Sequence, residues 1–344
     1  MEASFLLCTL IMIYQKIIKP VLFKFDAELV HNFISVIGES LENFPLEKIF
    51  GEMKFPNPVG LAAGFDYNGH LAQVMHKIGF GFNTVGTVTA KAYEGNPKPR
   101  LGRLPNSQSL LVNKGFKSEG VIKVDERLSQ KNLKNIVLGI SIGASNLPEI
   151  NSINRAIDDY LYTFEYLKNK DYVKYFELNI SCPNTAMPEN FTLPKNLELL
   201  VKKIKVNKPI YVKMPNEILP ENLDPLIKIS LKYGAAGFIF SNLVKDRNNK
   251  FLDKSEVQMI KNLKGNFSGK PCFEGSNKLI KYVSGKYGKD CVIIGCGGVF
   301  TVQDALEKFK AGANLIQMIT GMVYQGPQIV AEINRGLYKK GIFK

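Results

Sequence analysis

The sequence predicts an α/β fold, a (β/α)8 barrel with an N-terminal helical extension. Three observations carry that expectation. Eight short apolar runs recur from about Lys54 onward, helix-length amphipathic segments separate most of them, and polar or glycine-rich residues follow most of the runs. Near-continuous apolar strands alternating with helices imply a parallel sheet covered on its outer face. Eight such units suit closure into a barrel, with an open doubly wound sheet as the runner-up.

Taken in order, the strands are expected at Val59–Ala62, Phe82–Val88, Ile136–Ile142, Tyr175–Ile180, Ile210–Met214, Gly237–Ser241, Val292–Gly295 and Leu315–Met318. Leu71–Ile78, Ile153–Leu167, Leu197–Ile204, Leu223–Tyr233 and Val302–Phe309 have the apolar spacing of helices that pack on such a sheet. Ahead of the barrel, Ala3 to Tyr14 is a mostly apolar run followed by Lys16, Lys19 and Lys24. It is too short for a spanning helix, which needs ~20 apolar residues. It also lacks the leading charges and small-residue cleavage site of a signal peptide. A second helix is expected to begin near Asp26, whose carboxylate can cap exposed N–H groups, with Leu29, Val30, Phe33, Ile34 and Ile37 along one face. Two such helices with a basic margin suit either a membrane interface or packing on the main domain.

The chain has 344 residues, with 45 Lys+Arg against 31 Asp+Glu and a net charge of +14. With 45% hydrophobic and 22% charged residues it has the composition of a globular protein with ample core, not of a disordered or fibrous one. The lysines are scattered, with no like-charge block and no nucleic-acid motif, so a nucleic-acid partner is not expected. The cysteines, Cys8, Cys182, Cys272, Cys291 and Cys296, are odd in number and form no C-x-x-C pair. Neither a disulfide framework nor a metal site is indicated, and reduced thiols of a cytosolic compartment are expected.

Chemistry on a barrel of this kind sits where strands end. Gly60–Gly69, after the first strand, can admit a flat ligand close to the backbone or simply form a tight turn. At the fourth strand, Glu177-Leu-Asn179-Ile-Ser181-Cys182-Pro183-Asn184 sets two amides near a thiol. Amides can fix the donor and acceptor edges of a heterocycle while the sulfur works on a nearby C–H. Lys213 is an ionisable group ending an apolar strand, a position that calls for an anionic partner. Ser241 and Asn242 end the sixth strand. The glycines of Gly295–Gly298 and of Thr320-Gly321 end the seventh and eighth, where exposed N–H groups commonly hold a phosphate. A phosphate cradle, a buried cation and an amide-rich pocket beside a cysteine suit a flavin mononucleotide (FMN). His31, His70 and His76 fit no base or metal arrangement, which leaves surface or packing roles.

These motifs, from about Phe55 to the C-terminus, resemble the dihydroorotate dehydrogenase family. Gly86-Thr87, Gly95–Leu101, Gly115-Phe116, Asn179–Asn184, Gly295–Gly298 and Thr320-Gly321 stand at family spacing, and the Asp26…His31 segment is similar to that of the membrane-associated, quinone-reducing class. The resemblance implies oxidation of dihydroorotate to orotate in pyrimidine biosynthesis, by hydride transfer from substrate C6 to FMN while Cys182 removes a C5 proton. It implies FMN contacts at Ala63, Gly64, Thr87, Ser141, Asn179, Lys213, Ser241, Gly269, Gly298, Ile319 and Thr320. Substrate contacts fall at Tyr67, Asn113, Phe116, Asn179, Asn184 and Asn242. It also implies a division into residues 1–45, a helical membrane- and quinone-associated segment, and residues 46–344, the FMN-binding barrel. The protein is then expected to sit peripherally on the cytoplasmic face of a membrane.

Four positions depart from the quinone class. Cys182 stands where that class has serine, and Tyr67 where it has a lysine. Val112 stands in register with the substrate asparagine, leaving Asn113 one place late, and Leu243 replaces a Ser or Thr. If the pocket holds a carboxylate without a lysine at position 67, Lys114 is the first alternative. Two further readings stay open at this point: an FMN oxidoreductase acting on another small cyclic amide, and a non-catalytic flavin-binding relative.

Overall fold

The computed structural model of the chain describes residues 13–40, 57–186 and 190–342. Its strands in chain order are β1 (Val59–Leu61), β2 (Phe82–Val88), β3 (Leu101–Leu104), β4 (Ser109–Val112), β5 (Leu138–Ile142) and β6 (Tyr175–Asn179). They continue with β7 (Ile210–Met214), β8 (Gly237–Phe240), β9 (Asn266–Phe267), β10 (Val292–Cys296) and β11 (Leu315–Met318). Eight of these close a barrel in the spatial order β1, β2, β5, β6, β7, β8, β10, β11 and back to β1, with every pairing parallel. The closed barrel stands as expected, and the open sheet is excluded. Strand ends differ from expectation by one or two residues: Ala62, Ile180 and Ser241 fall just past their strands, Ile136 and Val137 precede β5, and Cys296 extends β10.

Helices cover the outer face, and their apolar stripes explain the core. Ile153–Leu167 buries Ala156, Ile157, Tyr160, Phe164 and Leu167, and Ser152 caps it by accepting from the Arg155 N–H. Helices Pro194–Val201 and Pro220–Lys232 start a turn before the expected Leu197 and Leu223, because each has a proline in its first turn, where a missing N–H costs nothing. Of Leu71–Ile78 only the last turn, Met75–Ile78, is helical. The Asp66 carboxylate accepts from the Leu71 N–H at 2.9 Å at the start of this stretch.

Two barrel glycines lie opposite aromatic residues of the next strand, Gly60 beside Phe82 and Gly139 beside Tyr175. A Cβ on either would fall 2.2 or 2.1 Å from the facing ring, so only glycine lets the ring lie against the neighbouring strand.

A small antiparallel sheet was not anticipated. β3 and β4 form a hairpin, and β9 pairs with β4 through Leu111 with Phe267 and Val112 with Asn266. It brings Val112 and Asn266 to the open end of the barrel.

The N-terminal segment docks beside the same end. Pro20 lies in the first turn of the short helix Lys19–Leu22. Asp26 caps helix Ala27–Ser40 as expected, accepting from the N–H groups of Glu28 and Leu29 at 3.0 and 2.9 Å. The Tyr14 hydroxyl donates to Val323 O at 2.6 Å, and Arg103 donates to Phe25 O at 2.6 Å. Residues 3–12 of the expected first helix, and the expected boundary at 45/46, lie outside the described residues. No helix among the described residues is long and apolar enough to cross a membrane.

Replacing Gly139 with alanine should destabilise the barrel by about 1–3 kcal/mol or more, as overpacking does. The urea midpoint should fall while the m-value holds, and an unchanged midpoint would contradict the packing described here.

Candidate active site

Polar side chains gather where the barrel strands end. Thr87, in β2, and Ser141, in β5, share a 3.0 Å hydroxyl contact, and the Asn179 carboxamide donates to Thr87 Oγ1 at 3.0 Å. The Asn242 carboxamide in turn donates to Asn179 Oδ1 and Ser181 Oγ at 3.3 and 3.0 Å, while Ser181 donates to Lys213 O at 2.7 Å. This continuous belt fixes the carboxamide directions of Asn179 and Asn242. Its internal bonds also hold the strand ends in register at the mouth.

Lys213 sits in β7 opposite Asn179 of β6 and is nearly fully buried. Its anionic counterpart is Glu177, two residues before Asn179 and wholly buried. Burial pushes the Glu177 carboxyl above the usual carboxylate range, and the Lys213 charge pulls it back. Glu177 Oε1 accepts from Thr84 and from Gln317, both at 2.6 Å.

The belt opens on a cavity with about 1530 Å³ of empty space, part of it open to solvent. At one side lie Gly269, Gly297, Gly298, Ile319 and Thr320. Gly298 has φ +75°, and a Cβ there would fall 2.5 Å from that of Phe273. Gly269 has φ +78°, and its Cβ would meet Gln108 O at 2.3 Å. Neighbouring protein atoms fill the space a Cβ would need at both positions, so only glycine fits, and its backbone rims a cradle next to the first turn of helix Thr320–Gln325, whose N–H groups lack intrahelical acceptors. The Ser268 and Thr320 hydroxyls are hydrogen-bonded to each other at its edge, 2.8 Å between oxygens.

At the other side stand Cys182, Asn184, Phe116 and Val112. Asn184 is tethered at both ends, donating to Val112 O at 3.0 Å and accepting from Asn266 at 2.6 Å. The small sheet thus positions the loop that carries Cys182.

Every expected site residue lines this cavity except two. Ser141 stands one step behind, against Thr87. Asn113 accepts from Asn96, which also donates to Asn184 O, so its carboxamide supports the Asn184 loop while Val112 faces the cavity.

Ala27, Val30, His31 and Ile34, one face of the N-terminal helix, also line the cavity. The sequence reading had Leu29 and Phe33 on that face, but they point outward and are more than half exposed. Their i, i+3, i+4, i+7 spacing could have identified the inner face, had His31 been counted with the apolar residues. The His31 ring stacks on Tyr67 at 5.1 Å, and its Nε2 is 2.6 Å from Phe65 O. The Tyr67 hydroxyl donates to Asn32 at 2.9 Å, so Tyr67 binds the barrel loop to this helix. Glu28, buried on the same helix, pairs with Arg100 at 3.2 Å and Lys117 at 3.7 Å.

A family model described as dihydroorotate dehydrogenase matches residues 46–340. The chain belongs to the dihydroorotate dehydrogenase family. Relatives named dihydroorotate dehydrogenase (quinone) include that of Christiangramia forsetii, 38% identical over 96% of this chain and 100% of its own. That of Legionella pneumophila is 35% identical over 93% of this chain and 98% of its own. Among solved structures, the DHODH of Eimeria tenella in complex with ferulenol superposes with a TM-score of 0.77 at 26% identity, covering 92% of this chain and 93% of that one. The family is flavin-dependent.

His31 supplies a pH prediction. Burial, reinforced by the Lys114 charge, lowers its pKa from 6.5 to about 3. Between those values the unfolded chain binds a proton that the folded protein refuses, so stability present above about pH 6.5 is lost as the pH falls towards 3. Replacing His31 with phenylalanine should reduce the loss of urea stability between pH 7 and pH 4.5. An identical loss in both proteins would rule out His31 as a source.

Proposed function

We propose that FMN is the flavin, that Cys182 is the base, and that the N-terminal helix faces a membrane and guides a quinone to the cavity. The reaction is the oxidation of dihydroorotate to orotate in pyrimidine biosynthesis, a CH–CH oxidation with quinone as acceptor. The observation that carries the assignment is one cavity that joins a glycine-rimmed cradle, a buried lysine and a thiol flanked by oriented carboxamides.

The residues present fit FMN. The cradle at Gly269, Gly298 and Thr320 lines the cavity with glycine backbone held at positive φ, and backbone N–H groups there suit a phosphate. Lys213 would supply positive charge beside the ring system, with Thr87 and Asn179 at its polar edge. When bound, FMN supplies the two-electron acceptor for the oxidation.

The remaining work falls to side chains of this chain. Asn179 and Asn242, held by the belt, would orient the amide edges of the substrate ring, and Asn184 holds the Cys182 loop against β4. Cys182 Sγ would take the C5 proton. Phe116 and Val112 would exclude water from the reacting face.

The outer face of the N-terminal segment supports membrane association. Val21, Phe25, Leu29 and Phe33 are each more than half exposed, beside Lys16 and Lys24. Apolar residues with a basic margin suit an interfacial helix, whereas the inner face opens on the cavity and suits a lipophilic acceptor.

Anaerobic dihydroorotate should bleach the flavin of the purified protein. In Cys182→Ala that bleaching should slow by ~10²–10⁴-fold, the usual contribution of a positioned base, with flavin content unchanged. In Cys182→Ser the pH–rate profile should move upward, because serine is a far weaker acid than a thiol. Wild-type rates in the alanine variant would remove Cys182 from the mechanism.

Leu29→Glu with Phe33→Glu should weaken binding to anionic liposomes and slow reduction of a lipophilic quinone, while reduction of a soluble dye stays at the wild-type rate. Equal loss of both activities would instead assign this face to packing.

A further inference from the structure

Lys114 occupies a position that the reaction leaves unexplained. Its ammonium nitrogen is buried and has no hydrogen-bond acceptor among the described residues. Its nearest aromatic neighbour is the Tyr67 ring, with the nitrogen 4.3 Å from the centroid. The residue lines the cavity on the side of Val112, Phe116 and Asn184. The charged and titratable groups around it are Glu28 and His31 on the N-terminal helix, Tyr67 on the loop after β1, Arg100 before β3, and Lys117 on its own loop. Glu28, the one carboxylate among them, is already paired with Arg100 and Lys117. The cluster therefore carries a surplus of positive charge at a buried site, a costly arrangement unless an anion completes it.

We propose that Lys114 binds the carboxylate of dihydroorotate and orotate, supplying from the β4 side the cation that position 67 lacks. The inference rests on the dihydroorotate reading and names the residue that makes the site prefer a carboxylated ring over a neutral one. Tyr67 cannot do so, because its hydroxyl is committed to Asn32 and its ring serves as the floor on which His31 packs. The lysine is also chemically poised. Burial, followed by the repulsion of Lys117 and Arg100, brings its pKa from 10.5 to about 8 despite the attraction of Glu28. An arriving carboxylate would hold its proton on.

The test uses the flavin-loaded protein and reads equilibrium binding of orotate, and of uracil as the uncharged analogue, from the perturbed flavin spectrum. Lys114→Met should weaken orotate binding by roughly 10²-fold or more, the usual result of truncating one partner of a buried charge pair, and leave uracil binding and flavin content unchanged. Lys114→Arg should restore orotate binding to within about tenfold of wild type. In the wild type, orotate affinity should fall towards about tenfold per pH unit as the pH rises past about 8, and Lys114→Met should lose that dependence. Unchanged orotate affinity in Lys114→Met, or a flat wild-type profile from pH 7 to 9, would overturn the role of Lys114 alone. Should the methionine variant fail to fold, the wild-type profile and Lys114→Arg decide the matter. A wild type that neither binds orotate nor bleaches with dihydroorotate would overturn the dihydroorotate reading itself, and this proposal with it.

Discussion

Lys213 places a full positive charge at the end of an apolar strand, and burying an ammonium group costs on the order of several kcal/mol unless charge and hydrogen bonds offset it. Glu177 is the carboxylate the barrel provides, its Oε1 accepting from Thr84 and Gln317, and burial raises its pKa while the Lys213 charge lowers it. Burial costs the lysine least where the strands end, and Lys213 stands one residue before the end of β7, opposite Asn179, while Glu177 lies deeper, within β6. The belt of Thr87, Asn179, Ser181 and Asn242 surrounds the lysine for the same reason. At that level β2, β5, β6, β7 and the end of β8 each carry a polar group, and neighbouring strands satisfy one another.

What the barrel cannot supply is a wall on its open side, and elements outside it provide one. The β3–β4–β9 sheet holds Asn184 from one direction, and helix Ala27–Ser40 presents Ala27, Val30, His31 and Ile34 from another. Tyr67 ties barrel to helix through Asn32 and His31. The helix consequently has two apolar faces. One is covered by the cavity, and the other carries Leu29 and Phe33 into solvent, an arrangement that globular packing alone does not account for.

The barrel was legible in the sequence because a parallel strand covered on both faces must be almost wholly apolar, so each of the eight strands stands out as a run with its polar residues stacked at one end. β3 and β4 were not legible, since Leu101-Gly102-Arg103-Leu104 and Ser109–Val112 are short and lie between loop residues. Leu71–Ile78 has helical spacing, yet only its last turn is helical, and the turns before it bury Leu71 and Val74 without a regular helix. Among site residues on barrel strands, Asn179 and Lys213 were found from strand-end position alone, whereas Thr87 and Ser141 came only from the family resemblance. Asn113 could not be placed, because which of two adjacent residues faces a cavity depends on hairpin register, set by pairing with β9 across a long stretch of chain.

That contrast has a physical basis that bears on how the site is divided. Of the groups that would hold the flavin, Thr87, Ser141, Asn179 and Lys213 sit on strands whose positions are fixed by barrel closure, where a shift of one residue would turn a strand inside out, and the others lie in loops directly beyond the strands. Groups on the substrate side, Tyr67, Val112, Lys114 and Leu243, sit on loops and hairpin ends, whose register can change at smaller cost. It is on this side that the chain departs from the quinone class. The lysine missing at position 67 and the unpaired lysine at position 114 face the same volume from two elements. Electrostatics constrains where positive charge stands in a cavity much more tightly than which segment delivers it, so a tyrosine that fastens the helix and a lysine on the neighbouring loop can divide work that one residue does elsewhere.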